Sequence, residues 1–465
     1  MSERFLSGDP HLDAVLGGGL PANALNMIIG LPGSGKTILA EQFMFHNATS
    51  ERPGVYLSTV SEPLDKILRY GQGLAFFDSE AIGTRVFFED LGRPLNEAGL
   101  DGVLGSLRAL ITQRRPGVIV IDSFKAMLDY ATDAKSFRRF LHELAGLLTA
   151  VPASTFWVGE YPRDDLASRP AFAVADAIVS LTTRHQAARA IRHLEVLKLR
   201  GTGFMSGEHA YRIASDGLHV FPRLAQRAAI QPAEPSEPHR ISSGVPAIDE
   251  MLARGYWSGS STMVAGPSGS GKTIMGLHFI FNGAAAGEPG IIATLQENAT
   301  QLERMVQGFG WSMATESVEL MYRSPVDLYL DEWVYELLGA IERTRAQRVF
   351  IDSLGDLRRA AVDELRFREY LYSLLQRCAR RQISVMMSQE TVGPFGASRI
   401  SEADISHLSD NVILLQFVPR EARVHRTIIV LKTRASTHDP GIREYSITRE
   451  GIVLGAPLAR APGEQ

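Results

Sequence analysis

Short runs that are apolar on both faces recur along the chain, separated by segments of helical length and pattern. In the first half they are "LNMIIG" from Leu25, "GVYLST" from Gly54, "GVIVIDS" from Gly117 and "STFWVG" from Ser154. In the second they are "STMVAG" from Ser261, "GIIATL" from Gly290, "RVFIDS" from Arg348 and "ISVMMS" from Ile383. A strand with one face in water alternates apolar and polar residues. These runs do not, so they predict parallel strands buried between helices. Each half then closes on β-rich sequence, "RHLEVLKLRG" and "HAYRIASDGLHVF" in the first, "HRTIIVLKTRA" and "REYSITREGIVL" in the second. The expected fold class is α/β, with a mostly parallel sheet flanked by helices and a β-rich C-terminal edge.

The pattern occurs twice because the chain is duplicated. "SGDPHLD" at Ser7–Asp13 returns as "SGVPAID" at Ser243–Asp249, "VIVIDS" ending at Ser123 returns as "VFIDS" ending at Ser353, and "LKLRG" around Lys198 returns as "LKTRA" around Lys432. Signals in one order at one nearly constant spacing mark an internal repeat. Between the copies, Pro222, Pro232, Pro235 and Pro238 interrupt any regular element in "FPRLAQRAAIQPAEPSEPHR". The expected division is a first domain at 1–225, a Pro-rich linker at 226–239 and a second domain at 240–465. A length of 465 residues agrees, since it exceeds what one hydrophobic core usually serves.

Composition narrows the function classes. Apolar residues make up 45% and charged residues 22%, as in ordinary globular chains. A net charge of −4 without a dense Lys/Arg block argues against sequence-independent nucleic-acid binding. Cys378 is the single cysteine, which leaves no intrachain disulfide and no cysteine cluster for a metal. The opening "MSERFLSGDPHLDAVLGGGL" lacks the basic-then-apolar pattern of a signal peptide, and no run of about 18 apolar residues occurs. The expectation is a soluble, cytoplasmic protein with no membrane partner.

The candidate chemistry lies where strands end. "GLPGSGKT" spans Gly30–Thr37 and "GPSGSGKT" spans Gly266–Thr273; each follows an apolar strand and opens a helical pattern. That context separates a phosphate-binding loop from a chance Gly/Ser turn with an incidental lysine. Backbone N–H groups through Gly33, Ser34 and Gly35, and through Gly269, Ser270 and Gly271, would cradle phosphates at a helix N-terminus. Lys36 and Lys272 would reach the β- and γ-phosphates of ATP, and Thr37 and Thr273 would offer hydroxyls to Mg²⁺. Asp122 and Asp352 end buried strands and would hold the magnesium, the plainer alternative being a helix-capping aspartate. An acid also follows the second strand of each half, Glu62 and Glu297, in place to activate a water.

These paired loops, the "VIDS" and "FIDS" strand ends, the acid after each loop, and "LKLRG" and "LKTRASTHDPGIRE" near the close of each half resemble the KaiC family of circadian-clock ATPases, within the RecA-like superfamily. The resemblance covers nearly the whole chain and implies two tandem RecA-like P-loop domains. It also implies a homohexamer of two stacked rings with ATP at the seams, where Lys198 and Arg200, and Lys432 and Arg434, reach a neighbouring subunit's nucleotide. Taken alone, a Lys-x-Arg pair on a strand is an ordinary solvated face.

Three departures accompany the likeness. Family members often carry two adjacent strand-end glutamates, whereas Ser61 and Gln296 precede Glu62 and Glu297 here. The family's phosphorylated segment resembles "SRISEADISHLSDNVILLQ", which puts Ser406 at the serine site, His407 where a threonine would stand, and Phe172 at the corresponding place in the first half. The sequence also stops at "EGIVLGAPLARAPGEQ", short of the long tail of clock proteins. The implied function is an ATP-hydrolysing double ring with serine autokinase activity at Ser406, acting as a timing or signalling switch with a clock-type protein partner. Two other readings stay open: a RecA-like DNA-acting ATPase, for which "YPRDDLASRP" and "TVGPFGASRISEAD" offer mixed charge rather than basic loops, and an ATP-dependent scaffold without significant turnover.

Overall fold

A computed structural model describes residues 3–59, 63–162, 170–186, 189–224, 237–361, 363–391, 407–420, 423–434 and 436–457. The chain divides into two compact units, Met1–Arg223 and Leu224–Gln465. The first carries β1 (Arg4–Phe5), β2 (Leu20–Pro21), β3 (Leu25–Gly30), β4 (Gly54–Ser58), β5 (Val86–Asp90), β6 (Val118–Asp122), β7 (Ser154–Gly159), β8 (Ala177–Gln186), β9 (Arg189–Leu199), β10 (Glu208–Ala214) and β11 (Gly217–Phe221). The second carries β12 (Arg240–Ile241), β13 (Tyr256–Trp257), β14 (Ser261–Gly266), β15 (Gly290–Thr294), β16 (Val318–Tyr322), β17 (Arg348–Asp352), β18 (Ser384–Glu390), β19 (Asn411–Arg420), β20 (Arg423–Thr433), β21 (Arg443–Thr448) and β22 (Gly451–Pro457).

Each unit is built on a nine-stranded sheet, in the order β5-β4-β6-β7-β3-β8-β9-β10-β11 and β16-β15-β17-β18-β14-β19-β20-β21-β22. The first six strands in each order run parallel, and the last three continue from them as an antiparallel ribbon. This is the fold the apolar runs predict, and the reason is visible along β6. Val118 and Val120 pack on one face with Leu39 and Phe43 of the helix Lys36–Asn47, while Ile119 and Ile121 pack on the other with Leu104, Leu107, Leu141 and Leu144. β17 divides likewise, Phe350 facing Leu277 and Ile280, and Val349 and Ile351 facing Leu337 and Leu374. Each such fully buried aliphatic or aromatic side chain contributes about 1.5–3 kcal/mol relative to exposure, so both faces of the parallel region are committed to the interior.

Parallel pairing also sends the C-terminal ends of β3, β4, β6 and β7 to one edge of the sheet. That edge is where an open α/β sheet binds its ligand. Among the described residues no helix is long and apolar enough to cross a membrane.

Candidate nucleotide-binding and active site

At the end of β3 the chain turns through Gly33 and Gly35 with φ of +74° and +86°, and the turn after β14 repeats this at Gly269 and Gly271 with +75° and +98°. Only glycine adopts such angles without strain. At Gly35 space matters as well, because an added Cβ would stand 2.6 Å from the Ile213 side chain. The turns open the helices Lys36–Asn47 and Lys272–Ala285, whose first N–H groups have no partner inside the helix. The Ser34 and Ser270 hydroxyls inside the loops are buried and have no hydrogen-bond partner. An anionic ligand with several acceptor oxygens matches this set of unfilled donors.

Lys36 is buried and Lys272 half-buried, and both bend back on their own loops. Lys36 Nζ donates to Leu31 O at 2.9 Å, and Lys272 Nζ to Pro267 O at 2.8 Å. Burial lowers the pKa of each amine, against the attraction of Glu160 and Asp122 in the first unit and of Glu390 and Asp352 in the second. Glu160 and Glu390, just after β7 and at the end of β18, are site residues that sequence reasoning missed. Their signal was a carboxylate ending the apolar runs "STFWVG" and "ISVMMSQ".

Thr37 Oγ1 donates to Asp122 Oδ2 at 2.7 Å, and Thr273 Oγ1 donates to Asp352 Oδ2 at the same distance. Two oxygen donors from different elements thus meet beside the loop in both units, the hard-ligand chemistry that suits Mg²⁺. Among the described residues no group of three or more His, Cys, Asp or Glu could hold a metal. A magnesium would therefore complete its shell with phosphate oxygens and water. The units support their aspartates differently. Tyr56 OH from β4 donates to Asp122 Oδ2 at 2.7 Å, whereas Ser388 Oγ from β18 donates to Asp352 Oδ1. Burial raises the Asp352 pKa, opposed by the hydrogen bonds from Ser388 and Thr273.

The loops are also gripped from the antiparallel ribbon. Tyr211 OH on β10 donates to Ser34 O at 2.5 Å, and Tyr445 OH on β21 donates to Ser270 O. Sequence reading missed both tyrosines.

The two candidate acids stand at unequal steps from the sheet. β4 pairs Ser58 with Asp122 and β15 pairs Thr294 with Asp352, so Glu62 lies four residues past its strand's paired residue and Glu297 three past its own. Ser61 and Glu62 lie outside the described residues, as does Ser406. Glu297 is half-buried, with its backbone N–H donating to Thr294 Oγ1 at 3.2 Å.

The Lys-x-Arg pairs lie away from their own loops. Lys198 pairs with Ile178, which pairs with Met27, and Arg200 N donates to Asp176 O beside Leu25. Lys198 and Arg200 therefore sit in rows three and five residues before Gly30, about 10 and 17 Å short of the loop along the strand direction. Their side chains are occupied there: Lys198 Nζ donates to Phe172 O and Ala173 O at 3.1 Å, and Arg200 donates to Ala173 O and to Asp176. The second unit matches. Lys432 Nζ donates to Ser409 O and Arg434 to His407 O, both at 2.7 Å, and Arg434 pairs with Asp410. A bulge at the same point of each hairpin, Ile178/Val179 and Val412/Ile413, fixes both registers.

Comparison with known proteins agrees with the duplicated geometry. The KaiC ATPase family model matches residues 6–225 and again 241–459. A circadian clock oscillator protein KaiC of Rippkaea orientalis is 29% identical over 460 residues, covering 95% of this chain and 87% of the relative. A circadian clock protein KaiC3 of Synechocystis is 29% identical over 479 residues, covering 99% and 93%. A circadian clock oscillator protein KaiC of Picosynechococcus is 28% identical over 463 residues, covering 95% and 88%.

Proposed function

This chain belongs to the KaiC family of ATPases, and on that premise we propose that it binds one Mg·ATP in each of two RecA-like domains, 1–225 and 240–465, joined by the segment 226–239. The chain assembles as a homohexamer of two rings in which each nucleotide lies at a seam between subunits. The observation that carries this reading is the position of the basic pairs. Each unit has a complete phosphate loop with its Thr–Asp pair, yet Lys198/Arg200 and Lys432/Arg434 sit rows away from that loop on the far side of β8 and β19. Cations so placed serve a nucleotide held by another copy.

At each seam the loop N–H groups and the lysine hold the phosphates, and the threonine and aspartate would hold Mg²⁺, which neutralises the phosphate oxygens when bound. The neighbour's Lys-x-Arg pair stabilises charge on the transferring phosphoryl group. Glu62 and Glu297 are the proton acceptors in this scheme. In hydrolysis the water oxygen bonds to the γ-phosphorus as the bond to the bridging oxygen of ADP breaks, and the water proton passes to the carboxylate.

In the second unit a hydroxyl competes with water. Ser406 directly precedes His407, whose carbonyl accepts from Arg434, and in this reading it is the acceptor for the nucleotide that the basic pair serves. Transfer forms the bond from Ser406 Oγ to the γ-phosphorus, releases ADP and leaves the proton on a neighbour's Glu297. The relatives named circadian clock proteins support a role as a timing or signalling switch with a clock-type protein partner.

Native mass spectrometry after incubation with Mg·ATP tests these points together. The expected species is a hexamer carrying up to two nucleotides per chain, with one phosphate adduct that Ser406→Ala removes. A monomer with and without Mg·ATP refutes the ring, and an adduct that persists in Ser406→Ala refutes the assignment of that serine.

A further inference from the structure

Beside its Thr–Asp pair the second unit carries a polar cluster. Gln296 follows Leu295, whose backbone N–H donates to Asp352 O at 2.7 Å, so it stands just past the strand ends that carry the Mg²⁺ candidates. There Gln296 Nε2 donates to Ser353 Oγ at 3.1 Å and to Asp356 Oδ2 at 2.9 Å. Ser353 Oγ donates to the same carboxylate oxygen at 2.7 Å, and Arg359 holds the other. Asp356 is buried on the helix Leu354–Ala360. Burial alone would raise its pKa, but the hydrogen bonds from Ser353, Gln296 and Arg359 together hold it below the usual carboxylate range.

An ionised carboxylate only accepts, so the amide nitrogen of Gln296 must be the atom that faces Asp356. This fixes the flip of the amide and turns Oε1 the other way, on an exposed side chain. In the first unit Ala126 stands where Asp356 does, and residues 60–62 after β4 lie outside the described residues.

We propose that Gln296 orients the attacking water at the second site, its Oε1 accepting a hydrogen bond from that water, and that Asp356 is the positioning residue that aims it. An amide cannot take a proton. It selects the water's direction of approach, while the water oxygen bonds to the γ-phosphorus, the bond to the bridging oxygen of ADP breaks and the proton goes to Glu297. Orientation without proton abstraction is an established task for a glutamine in phosphoryl transfer. This inference rests on the ATPase reading above.

The test uses the full chain carrying Lys36→Ala, so that only the second site turns over, and follows bound nucleotide, phosphate release and thermal unfolding separately. Gln296→Leu is expected to retain ATP with KM within about threefold while kcat falls about 10²-fold. Asp356→Asn, which lets the amide turn, is expected to lower kcat alone. Gln296→Glu sets two carboxylates face to face and is expected to lower both kcat and the unfolding temperature. Adding Asp356→Asn to it restores a donor–acceptor pair and should recover most of both. Full kcat in Gln296→Leu at unchanged nucleotide occupancy overturns the proposal, and so does a loss of ATP binding in that variant, or failure of the double variant to recover either quantity. A parent chain that binds no ATP at the second loop instead overturns the ATPase reading itself, and the proposal with it.

Discussion

Replacing Lys36 by Ala removes a cation that the fold has already taken out of water. The amine is buried, its pKa is lowered by that burial, and in the unliganded chain it is satisfied by the Leu31 carbonyl at 2.9 Å. In the proposed binding mode the amine would exchange this carbonyl for a phosphate oxygen. With an effective dielectric constant of about 20, a unit charge about 4 Å from another contributes about 4 kcal/mol. That is roughly a thousandfold in affinity, since 1.4 kcal/mol corresponds to about tenfold. ATP held at about 100 times its dissociation constant stabilises the protein by about 2.7 kcal/mol. After a thousandfold weakening the same concentration contributes less than about 0.1 kcal/mol. For a unit of some 220 residues, the lost stabilisation corresponds to about 5–10 °C of ligand-induced shift. Lys36→Ala should therefore bind one nucleotide per chain instead of two in equilibrium titration, and lose that shift for the first unit only. Lys272→Ala should do the converse. Without ligand neither variant should be much less stable than the parent, because the lost amine was itself paying a desolvation penalty. The reasoning fails if Lys36→Ala still binds two nucleotides, or if its first-site affinity falls by less than about tenfold.

Arg348 is 1% exposed, with Nε donating to Glu288 at 2.5 Å and Nη1 to the Ser242 and Phe279 carbonyls at 2.8 Å. Glu288→Ala leaves that cation buried without its counter-ion and should cost about 3–5 kcal/mol in urea unfolding of the second unit. His278 accepts from Ile452 N at 3.1 Å, packs edge-on to Trp311, and has its pKa lowered by burial despite a hydrogen bond with Gly244. The unfolded chain therefore binds a proton near pH 6.5 that the folded chain refuses. Stability should fall as pH drops below about 6.5, by at most about 1.4 kcal/mol per pH unit, until the folded pKa is passed. The first unit has Gln42 at this place, accepting from Leu218 N at 2.8 Å. His278→Gln should keep the contact and flatten the acid limb of the second unit's thermal stability. Lys198→Ala with Arg200→Ala should slow first-site phosphate release with little change in nucleotide bound per chain, and mixing this variant with Lys36→Ala subunits should restore some first-site turnover through mixed seams. Turnover no greater than that of the separate variants refutes action across the seam.

The parts of this architecture that were legible in the sequence are those that a local pattern specifies. The two-faced apolar runs gave the parallel strands, the glycine spacing gave the loops, and a lone Asp at the end of "VIVID" and "RVFID" marked the residue that meets the loop threonine. What escaped depends on strand order. Glu160 faces Lys36 because β7 lies beside β3 in the sheet, although some 120 residues separate them in the chain. Tyr211 reaches Ser34 from a ribbon three strands removed from β3, and no spacing rule predicts the pair. Gln296 looked in the sequence like a lost base. Only the helix that brings Asp356 against its amide shows how that side chain is held.

The tyrosine grip gives the antiparallel ribbon a mechanical character. In the first unit β10 touches the phosphate loop through Tyr211, while β9, hydrogen-bonded to it at Glu195–Glu208, carries Lys198 near its end, with Arg200 just past it, at the opposite margin of the sheet. The second unit joins Tyr445 on β21 to Lys432 near the end of β20 and Arg434 just past it in the same manner. The ribbon is thus a strut with a sensor at one tip and a charged hand at the other. If the loop binds phosphate as proposed, a shift of the carbonyl that the tyrosine holds would be passed along the ribbon to where the cations hang on carbonyls at 172–173 and 407–409. In a closed ring every strut would lean on the next, so the state of one nucleotide would be felt as tension by its neighbour.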